Sequence, residues 1–192
     1  MVIIAGLGNP GDEYENTRHN VGYHFVIELC KKLHIDFLAD ASAYRANHFL
    51  KTKIADQEVV FCLPKGYMNN SGEAIHQILN FYGDNDAKDL WVVHDDIEVP
   101  FGQVRIKLGG TSAGHNGIKS VDDAIGTHYW RIRIGVGRPA EPQQDLAHYV
   151  LSRFTEAEKA ALDPIIDQTA TYLLKSLEEG KLTSAKLTTK NA

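Results

Sequence analysis

Two short apolar runs constrain the fold more than any other feature of the chain: Val2-Ile3-Ile4-Ala5 at the start and Leu90-Trp91-Val92-Val93 at mid-length. Neither run offers an alternating polar residue to turn toward water, so a strand built from either must be covered on both faces. Helices can provide that cover, and stretches of helical periodicity lie between the strand-like runs. The pattern predicts strands over residues 2–7, 47–54, 57–63, 89–94, 103–108 and 130–136, and helices over 20–34, 71–82, 116–125, 155–162 and 164–179. Strands alternating with helices imply an α/β fold. Residues 47–64 read as a hairpin turning near Ala55-Asp56-Gln57, so the twisted sheet is expected to be mixed, mostly parallel and flanked by helices.

At 192 residues and 43% hydrophobic composition, the chain suits one domain with a full core. That domain is expected to span residues 1–180. Its last part carries two helix signals: the Thr155-Glu156-Ala157-Glu158 capping-box spacing, and Asp163-Pro164, which would restart a second helix that Gly180 stops. Residues 181–192 form a polar, basic segment expected to be mobile.

Cys30 and Cys62 sit in apolar stretches without metal-ligand spacing and read as small buried hydrophobes, which fits a reducing cytoplasm. No basic leader precedes the first apolar run, and no run approaches the roughly 20 residues of a membrane span, so a soluble, unexported protein is expected. The net charge of −5 is unevenly spread: residues 103–138 carry a local +4 and residues 181–192 a local +3, leaving −12 elsewhere. Such polarity permits one basic face for a polyanion.

The stretch Gly6-Leu7-Gly8-Asn9-Pro10-Gly11 has the G-x-G-x-x-G spacing of a dinucleotide-binding turn. That turn works when a helix starts at once and offers its free N–H groups to the pyrophosphate. In this chain acidic Asp12, Glu13 and Glu15 follow, and helical periodicity resumes only at Val21. A nicotinamide-dependent oxidoreductase is therefore the weaker reading of the motif.

Four segments rich in carboxamides, glycine and histidine follow strand candidates: residues 8–20, 64–72, 94–96 and 107–117. Loops after strands of one sheet can converge on one edge, which would unite Asn9, His19, Asn69, Asp95 and Asn116. Together these groups suggest hydrolysis by direct attack of water. A histidine takes the proton, a carboxylate on its other nitrogen fixes the tautomer, and carboxamides grip a peptide backbone or a developing oxyanion. Ser71 and Ser112 lie outside a G-x-S-x-G elbow, and the nine histidines show no zinc spacing. Plainer roles are also open to the polar residues: Asp95 or Asp96 as a helix cap or hard-cation ligand, Asn69 and Ser71 as caps.

In chain order the sequence reads GLGNPG with EY and TRHN, then YMNNSG, HDD, KLGG with GHNG, and RIRIGVGRP. By these motifs, from about Ile3 to Val150, it strongly resembles the bacterial-type peptidyl-tRNA hydrolase family. The resemblance implies a monomeric cytoplasmic α/β enzyme that cleaves the ester joining a peptide to the 3′ end of tRNA, without metal or cofactor and without a membrane partner. It implies that His19 is the general base, that Asp95 stabilises its protonated form and that Asn9 distinguishes N-blocked from free aminoacyl-tRNA. It further implies that Tyr14, Tyr67, Asn69 and Asn116 contact the acceptor end or nascent peptide, that Met68 lines the site, and that Lys107 and Arg133 clamp the 5′ phosphate. Two departures stand out. Thr111-Ser112-Ala113 replaces a stretch where the family often has a further glycine and histidine, and Asp96 occupies a position where glutamate is common and competes with Asp95 for the carboxylate role. A tRNA-end-binding protein without catalysis is the remaining rival, and it would lack the base or the carboxylate.

Overall fold

The structure, a computed structural model, describes residues 1–83, 86–141 and 143–189. Within these residues eight strands form one sheet: β1 (Val2–Gly6), β2 (Ser42–Tyr44), β3 (Asn47–Ile54), β4 (Gln57–Pro64), β5 (Leu90–Asp96), β6 (Gln103–Leu108), β7 (Trp130–Gly135) and β8 (Ala185–Thr188), in the order β2-β3-β4-β1-β5-β7-β6-β8. Among the described residues six α-helices accompany it: α1 (Val21–Lys32), α2 (Phe37–Asp40), α3 (Ser71–Tyr82), α4 (Asn116–Ile125), α5 (Leu146–Val150) and α6 (Glu156–Glu178).

The two apolar runs become the adjacent central strands β1 and β5, paired in parallel and buried throughout. Alternate side chains enter different cores. Ile4, Trp91 and Val93 pack with Phe25 and Leu29 of α1 and Leu173 of α6, whereas Ile3, Ala5 and Val92 pack with Ile75 and Ile78 of α3 and Ile118 and Val121 of α4. Each core is thus a sheet face closed by two helices.

Parallel pairing is confined to β4-β1-β5-β7, and the flanks are antiparallel on both sides. The sheet is mixed as expected, but it is not mostly parallel, because the β3–β4 hairpin, the short β2 and the pair β6–β8 add antiparallel edges. The hairpin turns through Ala55-Asp56, with Ile54 opposite Gln57.

Three further expectations change. The helices forecast at 155–162 and 164–179 are one helix, α6, capped by a Thr155–Glu158 capping box and running through Pro164. Proline removes one backbone donor, but Leu162 and Ile165 on either side of it are buried in the core, and that burial holds the helix continuous. The segment 181–192 is not a free tail: Lys186 pairs opposite Arg105 in β8, and Leu182 is buried, while Lys190 and the two residues after it lie outside the described residues. Finally, the glycine-rich segment after β6 does not leave from the same edge as the other loops. Leu108 lies opposite Trp130, the first residue of β7, so residues 109–115 must climb back along the sheet; at about 3.3–3.6 Å per residue they reach far enough. Arg131 Nη1 pins the climb by donating to the Thr111 carbonyl at 2.8 Å.

Candidate active site

At the C-terminal edge of the parallel strands lies a cleft of about 590 Å³, where open α/β sheets place their ligands. Its first wall is the turn after β1. A Cβ on Gly8 would stand 2.7 Å from the Tyr23 ring, and one on Gly6 would overlap the Gly22 carbonyl. The glycines therefore let α1 lie against the end of β1, and Tyr23 and the Gly22 backbone fill the volume that a pyrophosphate would need.

Asn9 follows, held by three hydrogen bonds. Its N–H donates to Asn20 Oδ1 at 2.8 Å, its carbonyl accepts from Asn20 Nδ2 at 2.9 Å, and its side-chain Oδ1 accepts the Met68 N–H at 2.7 Å. Since only oxygen can accept from Met68, the amide Nδ2 is what Asn9 has left to offer a ligand.

A 3-10 turn at Arg18–Asn20 carries His19. Arg18 anchors that turn from below: its guanidinium donates to Ser152 Oγ at 2.8 Å, to the Arg153 carbonyl at 3.0 Å and to Glu158 at 2.5 Å, and it stacks over the Tyr149 ring at 4.5 Å. His19 is thereby tied to α5 and the start of α6, and α5 in turn contributes Leu146, Ala147 and Val150 to the cleft.

His19 Nδ1 lies 2.8 Å from Asp95 Oδ1 at the end of β5. The same oxygen lies 2.9 Å from Nε2 of His115. His115 is the N-cap of α4, and its Nδ1 accepts the Ile118 N–H, so its Nε2 carries the proton and donates to Asp95. Two imidazoles, their ring centres 4.7 Å apart, thus converge on one carboxylate oxygen, and His19 keeps Nε2 for the cleft. Asp95 is 2% exposed. Burial opposes its charge, yet His19 and His115 beside it hold its carboxyl well below the usual range. Burial likewise opposes charge on His19, and the Asp95 carboxylate more than offsets that, so the His19 pKa is raised. His94, its ring against His115, is fully buried and driven well below the ordinary histidine value, first by burial and then by His115.

Asp96 does not compete for His19. Its Oδ2 accepts from Arg133 Nε at 2.5 Å and its Oδ1 accepts the Glu98 N–H at 2.8 Å. Neither Asn69 nor Ser71 caps α3; Asn69 borders the cleft and Ser71 Oγ donates to the Met68 carbonyl. Among the described residues neither the Ser71 nor the Ser112 hydroxyl is hydrogen-bonded to a histidine, so no serine nucleophile is assembled. The ligand-capable atoms of His19, Asp95 and His115 lie within 4.8 Å of one another, but both imidazoles are hydrogen-bonded to one Asp95 oxygen at 2.8 and 2.9 Å, closer than the roughly 3.3–3.6 Å that separates two tetrahedral ligands each about 2.0–2.2 Å from a zinc ion.

The cleft brings together Asn9, His19, Tyr67, Met68, Asn69, Asp95 and Asn116 of the residues forecast for the site. Tyr14 stands beside it, edge-on to Tyr67 with ring centres 6.3 Å apart. Lys107 and Arg133 are not cleft residues. They project from one face of β6 and β7 beyond α4, Lys107 exposed and Arg133 half-buried against Asp96. His115 lies inside GHNG, and Asn20 and Arg18 inside TRHN, yet the local sequence does not mark any of the three as a site residue. The only sequence-level signal was the spacing of His115 to Ile118, which suits an N-cap.

Comparison with known proteins gives a consistent result. The family model described as peptidyl-tRNA hydrolase matches residues 3–192. A peptidyl-tRNA hydrolase from Rickettsia typhi is 41% identical over 171 residues, covering 88% of this chain and 90% of its relative. One from Geobacillus kaustophilus is 42% identical over 167 residues, covering 86% and 87%. The crystal structure of peptidyl-tRNA hydrolase from Acinetobacter baumannii superposes with a TM-score of 0.82 at 31% identity, covering 94% of this chain and 89% of that one.

Proposed function

The chain belongs to the peptidyl-tRNA hydrolase family and is an enzyme that hydrolyses peptidyl-tRNA, and we propose that it does so by a single displacement with water as the nucleophile. The observation that carries this mechanism is the His19 Nδ1–Asp95 Oδ1 contact of 2.8 Å, which leaves Nε2 as the proton-accepting nitrogen of a cleft residue. Water gives a proton to His19 Nε2 while its oxygen bonds to the ester carbonyl carbon. The tetrahedral intermediate collapses, the bond to the terminal ribose oxygen breaks, and the imidazolium returns the proton to that oxygen. The products are tRNA and a peptide carboxylic acid, which releases its proton to solvent to become the carboxylate, and no covalent enzyme intermediate forms. Asp95 stabilises the imidazolium throughout.

Asn9 Nδ2 donates to the acyl group of an N-blocked substrate, and its orientation by Met68 supports that role. Asn69 and Asn116 supply further amides along the cleft, with Tyr14 and Tyr67 as surfaces for the terminal bases and Met68 as the apolar floor. Lys107 and Arg133 hold the 5′ phosphate, which keeps the backbone contact apart from the ester chemistry. We read the sheet from β2 to β8 as one hydrolytic domain acting as a cytoplasmic monomer without metal or cofactor. Among the described residues no helix is long and apolar enough to cross a membrane.

The test is incubation of the purified protein with N-acetyl-aminoacyl-tRNA and with its unblocked counterpart. The blocked ester is hydrolysed and the free one spared; equal rates on both would remove the Asn9 assignment, and no hydrolysis of either would remove the mechanism.

A further inference from the structure

We infer that Asn20 is a positioning residue for substrate discrimination, acting through Asn9; the inference rests on the mechanism proposed above. Its carboxamide closes a ring with the Asn9 peptide, accepting the Asn9 N–H at 2.8 Å and donating to the Asn9 carbonyl at 2.9 Å. Both residues are buried, Asn20 at 4% and Asn9 at 7% exposure. A carboxamide is the side-chain group that can satisfy a backbone donor and acceptor at once, and both of its partners would otherwise be left unpaired out of water.

The position of this ring gives it a specific consequence. Asn20 follows His19 in the same 3-10 turn, whereas Asn9 belongs to the turn after β1. Arg18, on the other side of His19, anchors the turn to residues 152–158, and among the described residues its side chain makes no hydrogen bond to Asn9. Among the described residues the polar side-chain contact linking Asn9 to the turn that bears the base is Asn20 alone. Asn20 therefore sets the distance between the group that recognises the acyl chain and the group that activates water. Met68 fixes only which end of the Asn9 amide points outward.

The variants are Asn20→Ala and Asn20→Asp. The aspartate keeps the acceptor for the Asn9 N–H but sets an oxygen against the Asn9 carbonyl. For each, kcat/KM on N-acetyl-aminoacyl-tRNA is expected to fall on the order of 10²-fold, the usual consequence of a misplaced reacting geometry, while hydrolysis of free aminoacyl-tRNA changes little, so discrimination narrows. The acid limb of the pH–rate profile stays in place because His19 and Asp95 remain paired. In an Asn9→Ala background, adding Asn20→Ala leaves the discrimination ratio unchanged. Hydrogen exchange of the Asn9 backbone amide is faster in Asn20→Ala than in wild type, a readout that does not depend on activity. Retained discrimination in folded Asn20 variants, additive effects with Asn9→Ala, or unaltered Asn9 exchange would each overturn the inference. Loss of folding in both variants would overturn it too, by making Asn20 structural. If wild-type protein leaves N-acetyl-aminoacyl-tRNA intact, the mechanism fails, and the exchange measurement still reports the ring.

Discussion

Replacing Asp95 with asparagine isolates the charge that two imidazoles share. The side chain keeps its size and one oxygen, so His19 Nδ1 and His115 Nε2 can both still find an acceptor where they now have Oδ1 at 2.8 and 2.9 Å. What disappears is the negative charge. A hydrogen bond to a charged group is worth about 1.5–3 kcal/mol against about 0.5–1.5 for a neutral one, so imidazolium stabilisation falls by roughly 1–2 kcal/mol. Burial of His19 then acts unopposed and lowers its pKa further. An asparagine that turned its NH2 toward Nδ1 would also enforce the wrong tautomer, an effect of about 10⁴ in a serine-protease triad. The expected fall in kcat/KM is therefore on the order of 10² to 10⁴. The rate requires neutral His19, so it rises with pH through the His19 pKa. In wild type that limb lies above the ordinary histidine value of about 6.5, and in the variant it moves to lower pH. Steady-state hydrolysis of N-acetyl-aminoacyl-tRNA from pH 5 to 9, with thermal unfolding as the folding control, gives both quantities. An unmoved limb, or a loss under about tenfold, would refute the pairing as the source of basicity. Stability carries a related signature. The depressed Asp95 pKa contributes stability present above the unfolded value of about 3.9 and lost as pH falls through the folded one, so acid destabilises wild type more steeply than the variant.

His19→Ala should cost at least about 10²-fold in single-turnover rate while the protein still folds, since the base is lost but the Arg18 anchor of its turn remains; the melting temperature should fall, because buried Asp95 loses one of its two imidazole partners. Binding of tRNA should weaken as salt rises. Lys107→Ala should reduce the log–log slope by roughly 1, and Arg133→Ala by less, because Asp96 already neutralises Arg133 in the free protein. Filter binding between 50 and 200 mM salt measures both slopes, and a salt-independent affinity would contradict the basic face. Gly72→Ala should destabilise by about 1–3 kcal/mol in urea titration, since its Cβ would overlap the Ser120 carbonyl and push α3 from α4.

How much of this was legible in the sequence depended on the range of the interactions involved. The strands β1, β4 and β5 declare themselves by unbroken apolar runs, because burial on both faces leaves no room for polar residues, and α3 and α4 declare themselves by periodicity. The four-residue β8 does not. Its alternation of half-buried Ala185 and Leu187 with exposed Lys186 and Thr188 is too short to stand out, and only its pairing with β6 makes it a strand. Pro164 misled for a related reason: as a local signal it starts a helix, whereas the buried residues on either side of it continue one.

The site was legible where an unusual side chain stands at a strand end or in a glycine-rich turn, and silent where a residue is defined only by a partner far along the chain. Asn9, His19 and Asp95 are unusual side chains at strand ends and in a glycine-rich turn, and they drew notice as such. His115 and Asn20 are defined by partners 20 and 11 residues away, Asp95 Oδ1 and the Asn9 peptide, which no local pattern encodes. The separation between Lys107 and the cleft is likewise a matter of direction: β6 runs antiparallel to β7, which puts the end of β6 at the far edge and makes residues 109–115 travel back. That return path is what delivers His115 to Asp95, so the strand that carries Lys107 also determines, through the length of the segment behind it, whether a second imidazole can reach the carboxylate. Shortening residues 109–114 by two, with α4 left intact, should therefore release His115 from Asp95 while Lys107 keeps its place on β6, separating the ester chemistry from tRNA affinity in one variant.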